Sequence, residues 1–194
     1  MKKEKVLEIP TAEQLEAELK RERYKRRYHS VFRSTVYTLI TVAAIAVLVA
    51  TLWMPVLQIY GGSMLPTLSD GNIVVSVKSG DFQSGDIMAF YYNNKILIKR
   101  VIAGPGDWVN IEEDGTVYVN NERLDEPYLT EKALGECNIE MPYQVPESRL
   151  FVMGDHRSIS VDSRSTAVGC IAEEQIVGKI LFRVWPLDNF GKVE

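Results

Sequence analysis

The sequence predicts a mainly β fold: an N-terminal helix and one membrane-spanning helix, then a folded antiparallel β domain with a small β/irregular insert. Three observations predict it. From Thr35 to Val56 no residue is charged. Beyond that run, short segments rich in β-branched and aromatic side chains alternate with turn signals. Charge is also split unevenly, with ten Lys/Arg against six Asp/Glu in residues 1–34 and twelve against twenty in residues 35–194.

The uncharged run reads TVYTLITVAAIAVLVATLWMPV, and about 20 apolar residues suffice to cross a bilayer as a helix. A buried core helix would share this composition. A cleaved secretory signal has an apolar region of only about 7–15 residues. This run is longer and follows a tail of 34 residues, so the expectation is an uncleaved anchor. Lys20, Arg21, Arg23, Lys25, Arg26, Arg27 and Arg33 precede it, and Lys78 is the first basic residue after it. Positive charge stays on the cytoplasmic side, which predicts a cytoplasmic N-terminus and an extracytoplasmic remainder. Trp53 and Tyr60 suit the outer interface.

Ahead of the span, Thr11-Ala12-Glu13-Gln14 has the spacing of a capping box that opens a helix. Glu16 with Lys20 and Glu22 with Arg26 are i,i+4 pairs along that helix. A solvated lead-in to the membrane accounts for this charge, and a cytoplasmic interaction helix is the alternative. After the span, strands are expected over Asn72–Lys78, Asp86–Tyr92 and Lys95–Ala103, with Asn93-Asn94 as a hairpin turn. Gly104-Pro105-Gly106-Asp107 is a further turn. Trp108–Glu112 and Thr116–Asn120 flank Asp114-Gly115, another hairpin signal. Leu124 to Ser148 is polar, carries Pro127, Pro142 and Pro146, and reads as an irregular excursion. Leu150–Met153 and Ile176–Trp185 return to strand character. The expected organisation is a basic tail and helix over 1–34, an anchor over 35–56, a catalytic β domain over 57–107 and 149–194, and an inserted subdomain over 108–148.

Hydrophobic residues make up 46% of the 194 and charged residues 25%, a globular composition. A net charge of −4 argues against a nucleic-acid partner. Cys137 and Cys170 would lie outside, where a disulfide is permitted, but nothing in their spacing demands one. With two cysteines and two histidines, His29 and His156, soft ligands are too few for a metal cluster. No metal and no cofactor are expected.

Three clusters can carry chemistry. In Gly61-Gly62-Ser63-Met64-Leu65-Pro66-Thr67-Leu68, two glycines let the backbone bend sharply before a serine. Such a serine is a candidate nucleophile or simply part of a turn. A nucleophilic serine needs a base. His29 falls on the other side of the membrane, which leaves His156 or a lysine. Lys99 sits in Lys95-Ile96-Leu97-Ile98-Lys99-Arg100-Val101-Ile102, and alternation along a strand puts it on one face with Leu97 and Val101. Desolvation there would lower its pKa from about 10.4 and free its lone pair. A lysine snorkelling to solvent fits the same spacing. The third cluster, Gly154 to Arg164, follows an apolar strand and holds Asp162 and Arg164 as a candidate ion pair. A polar surface loop has the same look.

These clusters, in this order behind one anchor, resemble the boxes of the bacterial type I signal peptidases. Ser63-Met64-Leu65-Pro66-Thr67 is similar to the nucleophile box and Gly85-Asp86-Ile87-Met88-Ala89-Phe90 to a core strand box. Lys99-Arg100-Val101-Ile102-Ala103-Gly104-Pro105-Gly106-Asp107 matches the lysine box, and Gly154-Asp155 through Asp162-Ser163-Arg164 the last one. The resemblance runs from the anchor to about residue 185. It implies a Ser/Lys-dyad endopeptidase in which Ser63 attacks, Lys99 acts as general base, and an acyl-enzyme forms. It further implies that Ser160 orients the lysine, that Asp155, Asp162 and Arg164 support the site, and that Ile59, Met64, Leu68 and Ile98 line shallow apolar pockets. Substrates would be secretory preproteins, cut after a small-x-small pattern of the Ala-x-Ala type by a monomer anchored in the lipid bilayer. Lys99 points to the bacterial branch, because archaeal and endoplasmic-reticulum relatives use histidine there.

Two departures stand out. Gly61 replaces a serine that adds an oxyanion-hole hydroxyl in some members, leaving chiefly the Ser63 N–H. His156 stands where asparagine is common, and Ser158-Ile159 replaces a more polar pair. A Ser63–His156 pairing, a soluble-type self-cleaving Ser/Lys regulator and a non-catalytic scaffold are the competing readings. The anchor and the four boxes argue against the regulator, and the presence of both Ser63 and Lys99 argues against the scaffold.

Overall fold

The protein is described here by a computed structural model covering residues 11–193; the first ten residues of the expected basic tail lie outside the described residues. The chain divides into two compact units, Met1–Val49 and Ala50–Glu194.

The first unit is helical. Helix α1 covers Ala12–Trp53, 42 residues without a break. Gln14 reaches back to accept from the Thr11 N–H at 3.1 Å, one half of the expected capping box. The anticipated i,i+4 ion pairs are replaced by i,i+3 contacts, Glu18 with Arg21 at 3.9 Å and Glu22 with Lys25 at 3.6 Å. All four side chains are well solvated, so their exact pairing matters little energetically. Further along, Thr35, Thr38 and Thr41 each donate their hydroxyl to the carbonyl four residues back. This satisfies the hydroxyls locally inside an otherwise apolar surface. The helix is long and apolar enough to cross a membrane.

The expected end of the span at Val56 is corrected. The helix stops at Trp53, and Val56–Gln58 form strand β1, which pairs antiparallel with β2. Pro55 cannot continue the helical hydrogen bonds, and its carbonyl instead accepts from the Ser76 N–H at 2.9 Å. From Thr35 to Trp53 about 28 Å of helix remain at about 1.5 Å per residue, still close to the roughly 30 Å of a hydrocarbon core.

The second unit is built from twelve strands: β1, β2 (Ile73–Val77), β3 (Ile87–Tyr92), β4 (Lys95–Ala103), β5 (Trp108–Ile111), β6 (Val117–Val119), β7 (Glu122–Arg123), β8 (Tyr143–Gln144), β9 (Arg149–Met153), β10 (Ile171–Ala172), β11 (Ile176–Trp185) and β12 (Gly191–Lys192). Eight of them form one antiparallel sheet in the order β1-β2-β11-β3-β4-β9-β10, with β12 against β11. The other four form a smaller sheet, β7-β6-β5-β8. Turn chemistry explains much of this. Asn93 takes a φ of 51° between β3 and β4, and Asn120 and Asn121 take 54° and 67° between β6 and β7. Asparagine tolerates that region better than other non-glycine residues. The hairpin between β5 and β6 closes where the Asp114 carboxylate accepts from the Thr116 N–H at 2.8 Å.

Burial differs from simple alternation where it matters most. The second half of β4, from Lys99 to Ala103, is buried at every residue. One side of the main sheet packs Val74, Ile87, Ala89 and Ile180 with Ile59, Met64 and Leu68. Another cluster holds Met88, Phe90, Val101, Val152 and Ile171. A third cluster joins Ile102, Phe151 and Met153 of the main sheet to Val109, Ile111 and Val117 of the smaller one. The two sheets therefore share a core.

Phe151 is fully buried at that junction. Phe151→Ala is expected to lower unfolding stability by about 3–5 kcal/mol, measured as the shift of the denaturant midpoint of the full-length protein.

Candidate active site

Ser63 lies in the turn after β1, and Lys99 lies midway along β4. Their side chains meet although 36 residues separate them: the Lys99 Nζ donates to the Ser63 Oγ at 2.7 Å. Lys99 is 3% exposed. Burial is the main force on its amine and lowers the pKa from 10.5 to about 8. Asp162 and Asp155 pull it upward and Arg164 pushes it down, each with less effect than burial.

Three buried ion pairs surround this contact. The Asp155 carboxylate accepts from Arg100 Nε at 2.9 Å and Nη2 at 2.7 Å, and also from the Thr67 hydroxyl. Asp162 accepts from Arg164 Nε and Nη2, both at 2.8 Å, and from the Gly154 N–H at 2.9 Å. Burial alone would raise the Asp162 pKa; the Arg164 guanidinium and the Gly154 amide outweigh it and hold the carboxyl below its usual value. Arg157 pairs with Glu126. Each pair is essentially removed from solvent. Removing one partner of such a pair typically costs about 3–5 kcal/mol, because the other charge is left buried and uncompensated.

The loop after β9 is pressed directly against the serine. The His156 N–H donates to the Ser63 carbonyl at 3.0 Å. A Cβ on Gly154 would come within 2.5 Å of that same carbonyl and 2.3 Å of the Ser160 Oγ, so only glycine lets the loop approach this closely. The Gly61 N–H is taken by Asp70 at 2.7 Å. Among the described residues, no hydrogen bond engages the Ser63 N–H.

Beside Ser63 and Lys99 lies a small cleft of about 70 Å³, lined by Gln58, Ile59, Tyr60, Gly61, Met64 and Ile96–Ile98. Clefts that engulf a whole small molecule run to about 300–1,000 Å³. This one has room for a small side chain on an extended strand.

The structure brings most of the expected residues together: Ser63 with Lys99, the Asp162–Arg164 pair, Asp155, and Ile59, Met64 and Ile98 along the cleft. Two details differ from expectation, and the competing Ser63–His156 pairing is not formed. Leu68 is fully buried in the core and does not line the cleft. Ser160 is buried nearby but makes no hydrogen bond to Lys99; its hydroxyl acts instead on Asp162, helping to hold that carboxyl below its usual value. His156 touches Ser63 through its backbone, while its Nδ1 is buried without a partner and makes no bond to the Ser63 hydroxyl. Cys137 and Cys170 are free thiols. Sequence reasoning missed Thr67, Arg100, Arg157, Glu126 and Tyr128. A second charge at Arg100, next to Lys99 in an apolar strand, was the one available signal; Glu126 and Tyr128 sit in a polar, proline-punctuated stretch that carried none.

Burying Lys99 destabilises the fold. Above pH 10.5 the amine is neutral whether the chain is folded or unfolded. Between 10.5 and about 8 only the unfolded chain takes the proton, so stability falls as pH falls. Below about 8 the full penalty of roughly 3 kcal/mol applies. Lys99→Met is therefore expected to raise stability at pH 7 by about 1–3 kcal/mol and to flatten this pH dependence, as read from unfolding curves between pH 7 and 10.5.

Known proteins resemble this chain in sequence. The sequence profile of the family described as signal peptidase, peptidase S26, matches residues 32–185. Signal peptidase IB of Staphylococcus aureus (strain COL) is 40% identical over 153 residues, 68% of this chain and 78% of the relative. Signal peptidase I of Bacillus licheniformis is 33% identical over 186 residues, covering 89% of this chain and 98% of its own. A crystal structure of a signal peptidase I from Enterococcus faecalis is 30% identical, with a TM-score of 0.42 over 51% of this chain and 96% of that one. With a family match extending from the apolar helix to the last residue of β11, the chain belongs to the signal peptidase family, peptidase S26.

Proposed function

We propose that the chain removes signal peptides from secreted preproteins as a membrane-anchored serine endopeptidase, with Ser63 as nucleophile and Lys99 as general base. The observation that carries this reading is the 2.7 Å contact between the Lys99 Nζ and the Ser63 Oγ, made by an amine whose pKa burial has lowered to about 8. An ordinary lysine near 10.4 would hold its proton at neutral pH. At about 8, roughly one amine in ten is free at pH 7, enough to accept a proton.

The steps follow from the contact. Neutral Lys99 takes the Ser63 hydroxyl proton as Oγ attacks the scissile carbonyl. The oxygen that becomes negative is met by the Ser63 N–H. Gly61 adds no hydroxyl, and its own amide is engaged by Asp70. The Lys99 ammonium then protonates the departing amine, the C–N bond breaks, and an acyl-enzyme on Ser63 remains. Lys99, neutral again, deprotonates a water that attacks the ester; the acyl C–Oγ bond breaks, the proton returns from Lys99 to the Ser63 Oγ, and the cleaved leader leaves with a new carboxylate. Asp162 with Arg164 and Asp155 with Arg100 hold the surrounding charges balanced, so that desolvation, not a nearby carboxylate, dominates at Lys99.

The small cleft supports cleavage after small residues of the Ala-x-Ala type, because Ile59, Met64 and Ile98 leave little space beside Ser63. The apolar part of α1 supports an anchor in the lipid bilayer, and its basic flank supports a cytoplasmic N-terminus with the β unit on the extracytoplasmic face. On this reading the protein works as a monomer.

Incubating the purified full-length protein with a preprotein, and mapping the cut by mass spectrometry, tests the activity. Ser63→Ala and Lys99→Ala are each expected to abolish cleavage, whereas His156→Ala retains most of it. Cleavage by Lys99→Ala would overturn the dyad. Below pH 8 the rate is expected to fall about tenfold per pH unit as Lys99 takes up its proton; a profile flat down to pH 5 contradicts the assignment.

A further inference from the structure

Residues 124–135, expected to be an irregular excursion, lie as a strap against the site loop. Three attachments hold it there. The Glu126 carboxylate is buried and pairs with Arg157 through both guanidinium branches. The Tyr128 ring stacks under Arg100, 3.8 Å from the guanidinium carbon to the ring centroid, and its hydroxyl donates to Glu126 at 3.0 Å. Arg164 donates to the carbonyls of Ala133 and Leu134. The fit leaves no slack: Gly135 has a φ of +63°, and a Cβ there would come within 2.3 Å of the Arg157 carbonyl.

Each arginine held by the strap also holds part of the site. Arg157 Nε donates to the Gly154 carbonyl at 3.1 Å, and Gly154 is the residue packed on the Ser63 carbonyl. Arg100 fixes Asp155, whose charge acts on Lys99. Arg164 fixes Asp162, which acts on Lys99 more strongly. None of the strap residues lines the cleft beside Ser63.

We propose that Glu126 and Tyr128 are positioning residues for the peptidase reaction: through Arg157 and Arg100 they set the place of the Gly154–Asp155 segment against Ser63 and Lys99. The inference rests on the Ser63–Lys99 dyad. It assigns the inserted segment a part in rate and not in substrate binding. Loss of Glu126 frees Arg157 and with it the Gly154–Asp155 segment, and an Asp155 carboxylate drawn away from Lys99 raises the pKa of that amine less.

The test uses the full-length protein with a preprotein substrate, with kcat expressed per folded molecule. Tyr128→Phe keeps the ring on Arg100 and removes only the hydroxyl bond to Glu126. It is expected to lower kcat per folded molecule about three- to tenfold with KM unchanged. Glu126→Gln is expected to lower kcat roughly 10- to 100-fold, with KM unchanged and the midpoint of the pH–rate profile displaced to lower pH. A purely structural role would leave that midpoint where it is. For Tyr128→Phe, kcat within twofold of the parent overturns the proposal. For a folded Glu126→Gln, so does an unmoved midpoint or a KM rise that accounts for the loss. Should Glu126→Gln fail to fold, Tyr128→Phe decides alone. Failure of the underlying dyad is a separate result, seen as cleavage by Ser63→Ala.

Discussion

An amine excluded from water and pressed against a hydroxyl is the constraint on which the rest of this structure depends. Solvation strongly favours an ammonium, and the protein opposes it by covering β4 on both sides at Lys99. Coverage alone would not suffice. A carboxylate left bare beside Lys99 would restore its proton, so each nearby acid is matched to an arginine. The three buried pairs keep the local charge close to neutral while still offering fixed dipoles. The fold accepts the cost of a buried amine at the one place where it meets the Ser63 hydroxyl.

The ion pairs also solve a mechanical problem. Ser63 follows a short edge strand, and Lys99 lies on a central one, so nothing in the main sheet alone holds their side chains in contact. The loop after β9 bridges them. The His156 amide in it engages the Ser63 carbonyl, while its acids reach arginines on β4 and within the loop itself. The strap then covers the loop and supplies the remaining partners. Each donor of Arg164 that points toward the strap finds a carbonyl there. A buried guanidinium with its donors satisfied acts as a rigid strut, which an exposed ion pair would not.

Membership of the signal peptidase family gives these features a common purpose. Signal peptides are met at a membrane, and the helix long enough to cross one leads within a few residues to β1 and the serine turn. The cleft beside that serine is small and lined by both apolar and polar residues.

Much of this was legible in the sequence, because it depends on local pattern. The charge-free run marks the helix through Trp53, and β-branched segments with asparagine and Asp-Gly turns mark β2 to β6, β9 and β11. Ser63, Lys99, Asp162 and Arg164 were candidates by their settings, and the resemblance to the boxes of the family singled them out. Tertiary structure decided the rest. Val56 reads as the end of an apolar helix, yet pairing with Val75 draws it into a sheet. The resemblance implies a pocket role for Leu68, yet packing buries it in the core. Glu126 and Arg157 lie 31 residues apart and Arg100 and Asp155 lie 55 apart, with no periodicity to connect them. Hydrophobic period and turn chemistry act between neighbours and are written into the chain. The partner of a buried charge is chosen only when distant segments close around it.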